Sequence, residues 1–281
     1  WRAIEAALRD AGVAFETIHT ERPGHGEELA RNALQQGRRR IAAAGGDGSV
    51  NEVVHGIMRA GVADTRDVTL AVVPTGTGND WARSLGITRA AGHIAGVLAR
   101  GRTMLHDVGA IDFPDTGGPR CWFINVAGAG YDAWVTERVP RPVPSALTYL
   151  RIALAGLAQY RSPLFRITAD GHGIEGRLLL AFVANAQYCG NRMHVAPKAR
   201  VDDGRFDVLA VEELSLLSTL DPGPASLLDA RAVITHKASG QVHDYVLTSS
   251  CKSEQEAHDW AEKYRRGEVA DPRLGKKTAA G

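Results

Sequence analysis

Apolar and polar residues along the first third of the chain follow a pattern typical of short strands that lead into helices. Each strand candidate is a brief apolar run that ends in turn-forming residues, and each helix candidate carries apolar residues three or four apart. The pattern predicts helices over residues 2–11, 26–36, 51–60, 80–85 and 94–98. It predicts strands over residues 15–19, 41–44 and 69–73. This alternation favours an α/β domain with a parallel sheet covered by helices.

Beyond Gly101 the pattern changes to a series of strands separated by turn formers. Strands are predicted over residues 103–113, 121–126, 164–169, 178–186 and 206–211, with one helix over residues 144–157. Strands of this length and spacing indicate a second, mainly antiparallel domain. We therefore expect domains at residues 1–101 and 102–220, followed by an atypical C-terminal segment at 221–281. Residues 253–266 of that segment have a charged helical pattern, and residues 271–281 are a polar tail.

The composition is that of a globular protein and narrows the classes of partner. Of the 281 residues, 44% are hydrophobic, and the formal net charge is +1, which argues against nucleic acid. Three scattered cysteines form neither a disulfide framework nor a zinc-binding motif, and they suit a reducing cytoplasm. No apolar run is long enough to span a membrane, and no signal peptide is visible. Because the chain begins at Trp1 inside a helical pattern, we expect the first strand of its sheet to be missing.

The clearest candidate for chemistry is the stretch GGDGSVNEV, residues 45–53, which joins a buried strand to a helix. Glycines allow close approach to the backbone, and the N–H groups at a helix N-terminus bind anions, most often phosphate. Asp47 would repel a phosphate, so we expect it to bind Mg²⁺ or to accept a hydroxyl group of a ligand. Ser49 and Glu52 have a second interpretation, since Ser49 could cap the helix with Glu52 as its capping-box partner.

A second loop of the same kind, PTGTGND, follows the next buried strand at residues 74–80. It offers two glycines, two hydroxyl groups, an amide and another acid before a helix begins. Loops at the carboxyl ends of adjacent parallel strands share one crevice. The two loops together therefore predict a site for the polyphosphate of a nucleotide. The alternative is that Asn79 or Asp80 is only a helix cap.

At these two loops the sequence resembles the diacylglycerol kinase catalytic family, especially its soluble bacterial lipid kinases, with sphingosine and ceramide kinases as more distant relatives. GGDGSVNEVVHG at 45–56 is similar to the family pattern GGDGTxNEVxNG, with Ser49 replacing threonine and His55 replacing asparagine. PTGTGNDWA at 74–82 is similar to PxGTxNDxA. Further similar stretches are HDVG at 106–109, WFINVAGAGYDA at 122–133, ANAQYCGN at 184–191 and APKARVDDGRFDV at 196–208. The resemblance covers roughly residues 1–220.

The resemblance implies a nucleotide-binding α/β domain followed by a β-sandwich domain, with the active site in the cleft between them. It implies transfer of the γ-phosphate of ATP to a lipid hydroxyl in the presence of Mg²⁺. Such a transfer needs a carboxylate to orient or deprotonate the hydroxyl, and Asp47 and Asp80 are the predicted catalytic carboxylates. The residues that it assigns to ATP are Thr20, Gly45, Gly46, Asp47, Gly48, Ser49, Asn51, Glu52, Gly76, Thr77 and Asn79. It assigns a structural Mg²⁺ to Asp203, with the main chain near Arg200 and Arg205. The alternative for Asp203 and Gly204 is a plain hairpin turn.

Two departures from the family pattern bear on activity. The NPxxG-type loop is absent, and so is the late DGE-type motif that supplies the proposed base in relatives; the nearest echo is RGEV at 266–269. Three hypotheses follow from the residues and the resemblance. The first is an ATP-dependent lipid kinase that acts on a lipid such as diacylglycerol. The second is a non-catalytic nucleotide-binding homologue, and the third, less favoured, is an enzyme like NAD kinase, which also carries GGDG.

A lipid kinase of this kind is expected in the cytoplasm, peripheral to the membrane that holds its lipid substrate, and the chain could form a homodimer. The helix at 144–157 bears on this expectation, because it carries leucines three or four residues apart at 147, 150, 154 and 157. Such a stripe is typical of a helix that faces a core. Its functional alternative is to meet lipid tails at the membrane surface.

Overall fold

The computed structural model describes residues 1–114, 117–139, 146–157, 159–212, 231–236 and 243–248. The helices in these ranges are α1 Arg2–Asp10, α2 His25–Gln35, α3 Asp47–Arg59, α4 Asp80–Ser84, α5 Ala91–Arg100, α6 Tyr131–Arg138 and α7 Ala146–Leu157. The strands are β1 Arg40–Gly45, β2 Thr69–Pro74, β3 Gly109–Phe113, β4 Gly118–Phe123, β5 Val126–Gly130, β6 Leu164–Ala169, β7 His172–Ala184, β8 Tyr188–Cys189, β9 Met193–His194, β10 Asp207–Glu212, β11 Arg231–His236 and β12 His243–Thr248. Among these described helices, none combines the length and the apolar character that crossing a membrane requires.

β1 and β2 form a parallel pair in the N-terminal domain. Their register places Arg40 beside Thr69 and Gly45 beside Pro74, so both strands end at the same level. Parallel strands present the loops that follow them on one edge of the sheet, and the two glycine-rich loops therefore leave it side by side. The core of this domain gathers apolar side chains from α2, α3, α4 and both strands, and it includes Ile124 from the C-terminal domain.

Helices α2 and α3 pack closely because α3 has a glycine at their contact. A Cβ atom on Gly56 would lie 2.4 Å from the main-chain oxygen of Glu27 and 2.7 Å from Cβ of Ala30. Neither neighbour could move without shifting α2, since the first is backbone and the second is fixed directly to it. The contact positions the first glycine loop, which lies at the N-terminus of α3.

The C-terminal domain is built from antiparallel pairs in the strand order β10–β7–β6–β12–β11–β3–β4, with β5 also paired to β7. Strand β7 connects two parts of this arrangement, because residues 172–177 pair with β6 and residues 180–184 pair with β5. β10 pairs with the same second half of β7. The predicted fold class, an α/β domain with a parallel sheet followed by an antiparallel β-sandwich-like domain, is confirmed.

In the N-terminal domain, the predicted helices and buried strands are present within a few residues of their expected bounds. Helix α3 starts at Asp47 rather than at residue 51, because Gly46 takes the N-cap position. The strand predicted at 15–19 is wrong, since this segment pairs with no described strand and remains without regular structure.

In the C-terminal domain, two predicted strands change. The one at 103–113 shortens to β3, and the one at 121–126 is divided between β4 and β5. The division has a pairing cause, because β4 pairs with β3, whereas β5 pairs with β7. The strand expected at 178–186 is extended to the whole of β7.

The sequence pattern does not predict α6, β8, β9, β11 or β12. The last two strands lie within the segment 221–281 and enter the sheet between β3 and β6. Their runs of β-branched and aromatic residues, AVIT at 232–235 and YVL at 245–247, are signals that could have indicated strands. The helical pattern at 253–266 and the polar tail lie outside the described residues.

Replacing Gly56 with alanine is expected to lower the free energy of unfolding by about 1–3 kcal/mol, because the added Cβ atom overlaps α2. The gain in helix propensity, up to about 1 kcal/mol, acts in the opposite direction and is smaller. The change is measured as a lower urea midpoint. Gly92→Ala is the matched control, since no atom lies within 4 Å of its Cβ position in α5. An unchanged midpoint for Gly56→Ala would contradict this packing.

Candidate active site

The two glycine-rich loops contact each other through their backbones. A Cβ atom on Gly76 would lie 2.4 Å from the Cα atom of Gly46 and 2.9 Å from its nitrogen. Gly45 is also closed in, since its Cβ position lies 2.3 Å from Oγ of Ser49. Glycine is therefore needed at 76 for the loops to meet. The two loops therefore lie side by side, as the order of strands and loops predicts.

Helix α3 begins in the first loop with an N-terminus that no side chain caps. Its N-cap residue is Gly46, and the Cβ position of Gly48 in the first turn has no atom within 4 Å. The uncapped N–H groups and the helix dipole favour an anion at this open face. Ser49 lies inside the first turn, so the capping-box interpretation of Ser49 and Glu52 is wrong.

The carboxylate of Glu52 caps a different helix. Its Oε1 accepts a hydrogen bond from N of Gly24 at 2.9 Å, and its Oε2 accepts one from N of Gly26 at 3.0 Å. Gly24 is the N-cap residue of α2 and has no side chain that could do this. Because Glu52 lies in α3, these two hydrogen bonds fasten the start of α2 to α3. Its predicted contact with ATP stays a prediction.

The carboxylate of Asp47 caps helix α4 in the same way. Its Oδ2 accepts a hydrogen bond from N of Asp80 at 3.1 Å, and its Oδ1 accepts one from N of Trp81 at 3.0 Å. Asn79 occupies the N-cap position of α4 without capping it. Its side chain instead closes the second loop, since Nδ2 donates to O of Gly76 at 2.7 Å and Oδ1 accepts from N of Gly76 at 3.1 Å. Asp47 thus joins the first loop to the second.

Asp80 connects the start of α4 to the C-terminal domain. This buried carboxylate accepts hydrogen bonds from N of Asn191 at 2.9 Å and from N of Arg192 at 2.7 Å. Both residues lie in the turn between β8 and β9 with positive φ angles of 65° and 81°. Left-handed conformations of non-glycine residues are costly, and the two charge-assisted hydrogen bonds offset that cost. The turn therefore depends on Asp80.

Three of the predicted ATP-binding side chains, at the start of α3 and in the second loop, have free polar groups. These residues, Ser49, Asn51 and Thr77, are exposed, and their side chains make no hydrogen bond to another described residue. They can donate to or accept from a ligand. Thr20 lies in the α1–α2 connection and lines an open cavity of about 2180 Å³ beside β1, together with Ser49 and Glu52 but without Asp47 and Asp80.

The residues predicted for a structural Mg²⁺ lie on an exposed turn. Oδ1 of Asp203 accepts a hydrogen bond from N of Arg205 at 3.1 Å, and the Arg200 guanidinium pairs with Asp202 at 3.3 Å. Within the described part of the chain, no three acidic, histidine or cysteine side chains are grouped so that they could hold a metal ion. A Mg²⁺ at Asp203 would need main-chain oxygens, as the resemblance implies, and it stays a prediction.

Three further polar residues near the domain junction were not singled out by the sequence. Buried Asp107 accepts a hydrogen bond from N of Gly204 at 2.7 Å, and Asn185 donates to the main-chain oxygens of Asp107 and Ile124 at 2.7 and 3.1 Å. Asp132, in the first turn of α6, is half-buried, and this burial raises its pKa. The stretches HDVG, ANAQYCGN and AGAGYDA contain these residues and are the signals that could have found them.

His106 ties α4 to the segment before β3. Nε1 of Trp81 donates to Nε2 of His106 at 2.9 Å, so the imidazole proton lies on Nδ1, which donates to O of Asp107 at 2.7 Å. Burial lowers the pKa of His106. The neutral imidazole is therefore the form that this arrangement requires.

The fold and the two loops define a class of protein in which the glycine-rich loops of an α/β domain meet an antiparallel domain. Residues 1–111 match the diacylglycerol kinase catalytic domain, and residues 125–224 match the YegS C-terminal NAD kinase beta sandwich-like domain. The crystal structure of a diacylglycerol kinase from Bacillus anthracis has the same fold, with a TM-score of 0.59, 21% identity and 88% of each chain covered.

Curated relatives identify the family. The diacylglycerol kinase of Bacillus subtilis is 33% identical over 213 residues, which are 74% of this chain and 67% of that protein. A YegS-like lipid kinase of Chromohalobacter salexigens is 30% identical over 219 residues, 77% of this chain and 68% of that protein. The chain belongs to the diacylglycerol kinase family of lipid kinases.

Replacing Asp80 with asparagine is expected to lower the free energy of unfolding by about 2–3 kcal/mol, because a neutral amide offers one oxygen to two N–H groups. The urea midpoint measures the loss. Asp112→Asn is the control, since it breaks the exposed ion pair with Arg120, which is worth less than about 1 kcal/mol. Equal losses for the two variants would show that the turn at Asn191 does not depend on Asp80.

The stability of the protein is expected to fall as the pH drops below about 6.5, because the pKa of His106 is lower in the folded chain than in the unfolded chain. The unfolded state then binds the proton more readily, so the contribution of His106 is complete above the unfolded pKa and is lost in acid. Thermal midpoints between about pH 5 and 8 measure this slope. His106→Gln should have a flatter slope, and an identical slope in the variant would exclude His106 as its source.

Proposed function

We propose that the chain transfers the γ-phosphate of ATP to the hydroxyl group of a lipid such as diacylglycerol. The observation that carries the proposal is the backbone contact between the two glycine loops at the uncapped N-terminus of α3. Family membership supports lipid phosphorylation over phosphorylation of NAD. The two relatives are named as a diacylglycerol kinase and a lipid kinase, and this substrate class is the one we infer here.

The phosphates of ATP fit the open N-terminus of α3. The N–H groups of its first turn would donate to phosphate oxygens, with the free polar groups of Ser49, Asn51 and Thr77 around them. Arg192 would add positive charge, because its guanidinium is exposed while its main-chain N–H is held by Asp80. Nucleotide recognition would therefore draw on both domains.

Asp47 is the carboxylate best placed to meet Mg²⁺ or the lipid hydroxyl. Each of its oxygens accepts one N–H group and retains a lone pair for a further partner. Mg²⁺ bound with ATP supplies charge neutralisation, and a carboxylate of this kind fits its preference for oxygen ligands. Asp80 is buried and engaged with the turn between β8 and β9, so it would act mainly by positioning that turn.

A non-catalytic nucleotide-binding homologue is the second candidate function. The observation in its favour concerns the two predicted catalytic carboxylates. Asp47 and Asp80 each accept two hydrogen bonds from main-chain N–H groups, as structural caps do. In that case the crevice would bind ATP without turnover. Calorimetric titration of ATP and an assay of lipid phosphorylation, made on the same preparation, separate the two candidates.

Replacing Asp47 with asparagine is expected to lower kcat/KM for transfer of labelled γ-phosphate to diacylglycerol in mixed micelles at least about 100-fold. The charge that meets Mg²⁺ or the hydroxyl is lost while the shape of the side chain is kept. Asp67→Asn is the matched control, since Asp67 is exposed and outside the crevice, and it should retain full activity. Thermal midpoints are measured alongside, because Asp47 also caps α4.

The outcomes separate the hypotheses. Lipid product that falls only in the Asp47 variant supports the kinase. No product with the wild-type chain, while ATP binding is retained, supports the non-catalytic homologue. A folded wild-type chain that does not bind ATP contradicts both.

A further inference from the structure

The carboxylate of Asp132 accepts no hydrogen bond from any other residue that the structure describes. Asp132 lies in the first turn of α6 and is half-buried. A carboxylate in such a position loses part of its hydration and gains no hydrogen bond in return, and its burial raises its pKa. The described hydrogen bonds of the fold therefore give no reason for an acid at this position.

The first turn of α6 is fixed by its neighbours. Gly130, the N-cap residue of α6, has a φ angle of 95°, and a Cβ atom there would lie 2.7 Å from the main-chain oxygen of Leu179. Glycine is therefore required at this position. The hydroxyl of the next residue, Tyr131, donates to the main-chain oxygen of Ala153 in α7. The start of α6 is thus a rigid support for the side chain of Asp132.

A second glycine leaves space for the Asp132 carboxylate. A Cβ atom on Gly128, in β5, would lie 2.8 Å from Oδ2 of Asp132 and 2.9 Å from the ring of Phe182. Gly128 itself is exposed. The carboxylate therefore borders an open glycine surface, from which a ligand can reach it.

Strand β8 connects this part of the C-terminal domain to the candidate active site. Nδ2 of Asn125, the residue before β5, donates to the main-chain oxygen of Tyr188 in β8 at 3.0 Å. On its other side β8 contacts α4, and Asp80 at the start of α4 holds the turn that follows β8. Strand β8 therefore lies between the start of α4 and the β5–α6 segment.

Three carboxylates surround the side chain of Cys189 in β8. Burial and the negative charges of Asp132, Asp80 and Asp47 raise the pKa of the Cys189 thiol to about 12. Charges affect a pKa in this way only at short range. Asp132 therefore approaches the candidate active site from the C-terminal domain, as Asp47 does from the N-terminal domain.

The three carboxylates differ in their hydrogen bonds. Asp47 and Asp80 each accept two hydrogen bonds from main-chain N–H groups, whereas Asp132 accepts none from the described part of the chain. Phosphoryl transfer to an alcohol needs a carboxylate that orients the hydroxyl group and takes its proton. A raised pKa also makes a carboxylate a stronger base. Asp132 has both properties that this task requires.

We propose that Asp132 is the catalytic carboxylate that accepts the hydrogen bond, and then the proton, of the lipid hydroxyl. This role rests on the proposed kinase function, and it leaves Asp47 to meet Mg²⁺. As the hydroxyl oxygen forms its bond to the γ-phosphorus of ATP, the bond from that phosphorus to the β–γ bridging oxygen breaks, and its electron pair leaves with ADP. The hydroxyl proton passes to Asp132, which releases it to solvent before the next turnover.

The alternative is that Asp132 only stabilises α6, because an acid in the first turn of a helix interacts favourably with the helix dipole. The two roles predict different effects on stability. Burial raises the pKa of Asp132 above its unfolded value, so the ionised side chain lowers stability at a pH above both values. If Asp132 is held for catalysis, Asp132→Asn should keep or raise the urea midpoint at neutral pH.

Transfer of labelled γ-phosphate to a short-chain, water-dispersed diacylglycerol tests the proposal, with ATP binding followed by calorimetric titration. Asp132→Asn is expected to lower kcat at least about 100-fold and to leave the Kd for ATP unchanged. Glu137→Gln is the matched control, because it removes an exposed acid from the last turn of the same helix. It should keep the kcat of the wild type.

A second variant displaces the carboxylate and keeps its charge. Gly128→Ala places a methyl group against Oδ2 of Asp132 and should lower kcat at least about 10-fold. Gly176→Ala in β7 is its control, since no atom lies within 4 Å of that Cβ position, and it should act like the wild type.

Several outcomes would overturn the proposal. A wild-type kcat in Asp132→Asn or in Gly128→Ala would exclude Asp132 as the base and leave the kinase function standing. An equal loss in Glu137→Gln would do the same. A lower urea midpoint in Asp132→Asn would assign the residue to the stability of α6. If the wild-type chain binds ATP but phosphorylates no lipid, the proposed function fails, and the role of Asp132 fails with it.

Discussion

Pairs of main-chain N–H groups held by single carboxylates are the constraint on which the rest of the site depends. Glu52 holds the start of α2, Asp47 holds the start of α4, and Asp80 holds the turn between β8 and β9. Hydrogen bonds to an ionised acceptor are stronger than neutral ones, and an unpaired buried N–H group is costly. The three carboxylates therefore fix the two glycine loops and connect them to the C-terminal domain.

These hydrogen bonds give the acidic residues of the motifs a structural role beside the predicted chemical one. Asp47 was singled out for chemistry, yet it is also the cap that α4 lacks in its own sequence. Loss of activity on replacing such a residue has two sources, loss of a charge at the reacting groups and loss of loop position. The two sources differ in their effect on stability, which is why activity and unfolding have to be measured on the same variants.

The sequence contains most of the information on the loops and little on what joins them. Gly46 and Gly76 could be predicted to share a crevice, because each follows a buried strand of a parallel pair. Their actual partners are each other, which spacing alone does not reveal. The bonds from Glu52 to Gly24 and from Asp80 to Asn191 join residues 28 and 111 positions apart, and no local pattern specifies such pairs. The division of 121–126 between β4 and β5 was missed for the same reason, since pairing with β7 decides it.

Amide hydrogen exchange in the wild-type chain and in Asp47→Asn tests the central claim most directly, because exchange reports local opening at single N–H groups. If Asp47 holds the start of α4, exchange at Asp80 and Trp81 should accelerate at least about 10-fold in the variant. If α4 in turn holds the turn between β8 and β9, exchange at Asn191 and Arg192 should accelerate too. Asp47 itself makes no hydrogen bond to either of these two residues. Strand β6 should be unchanged. Unaltered exchange at Asp80 and Trp81 would contradict the account.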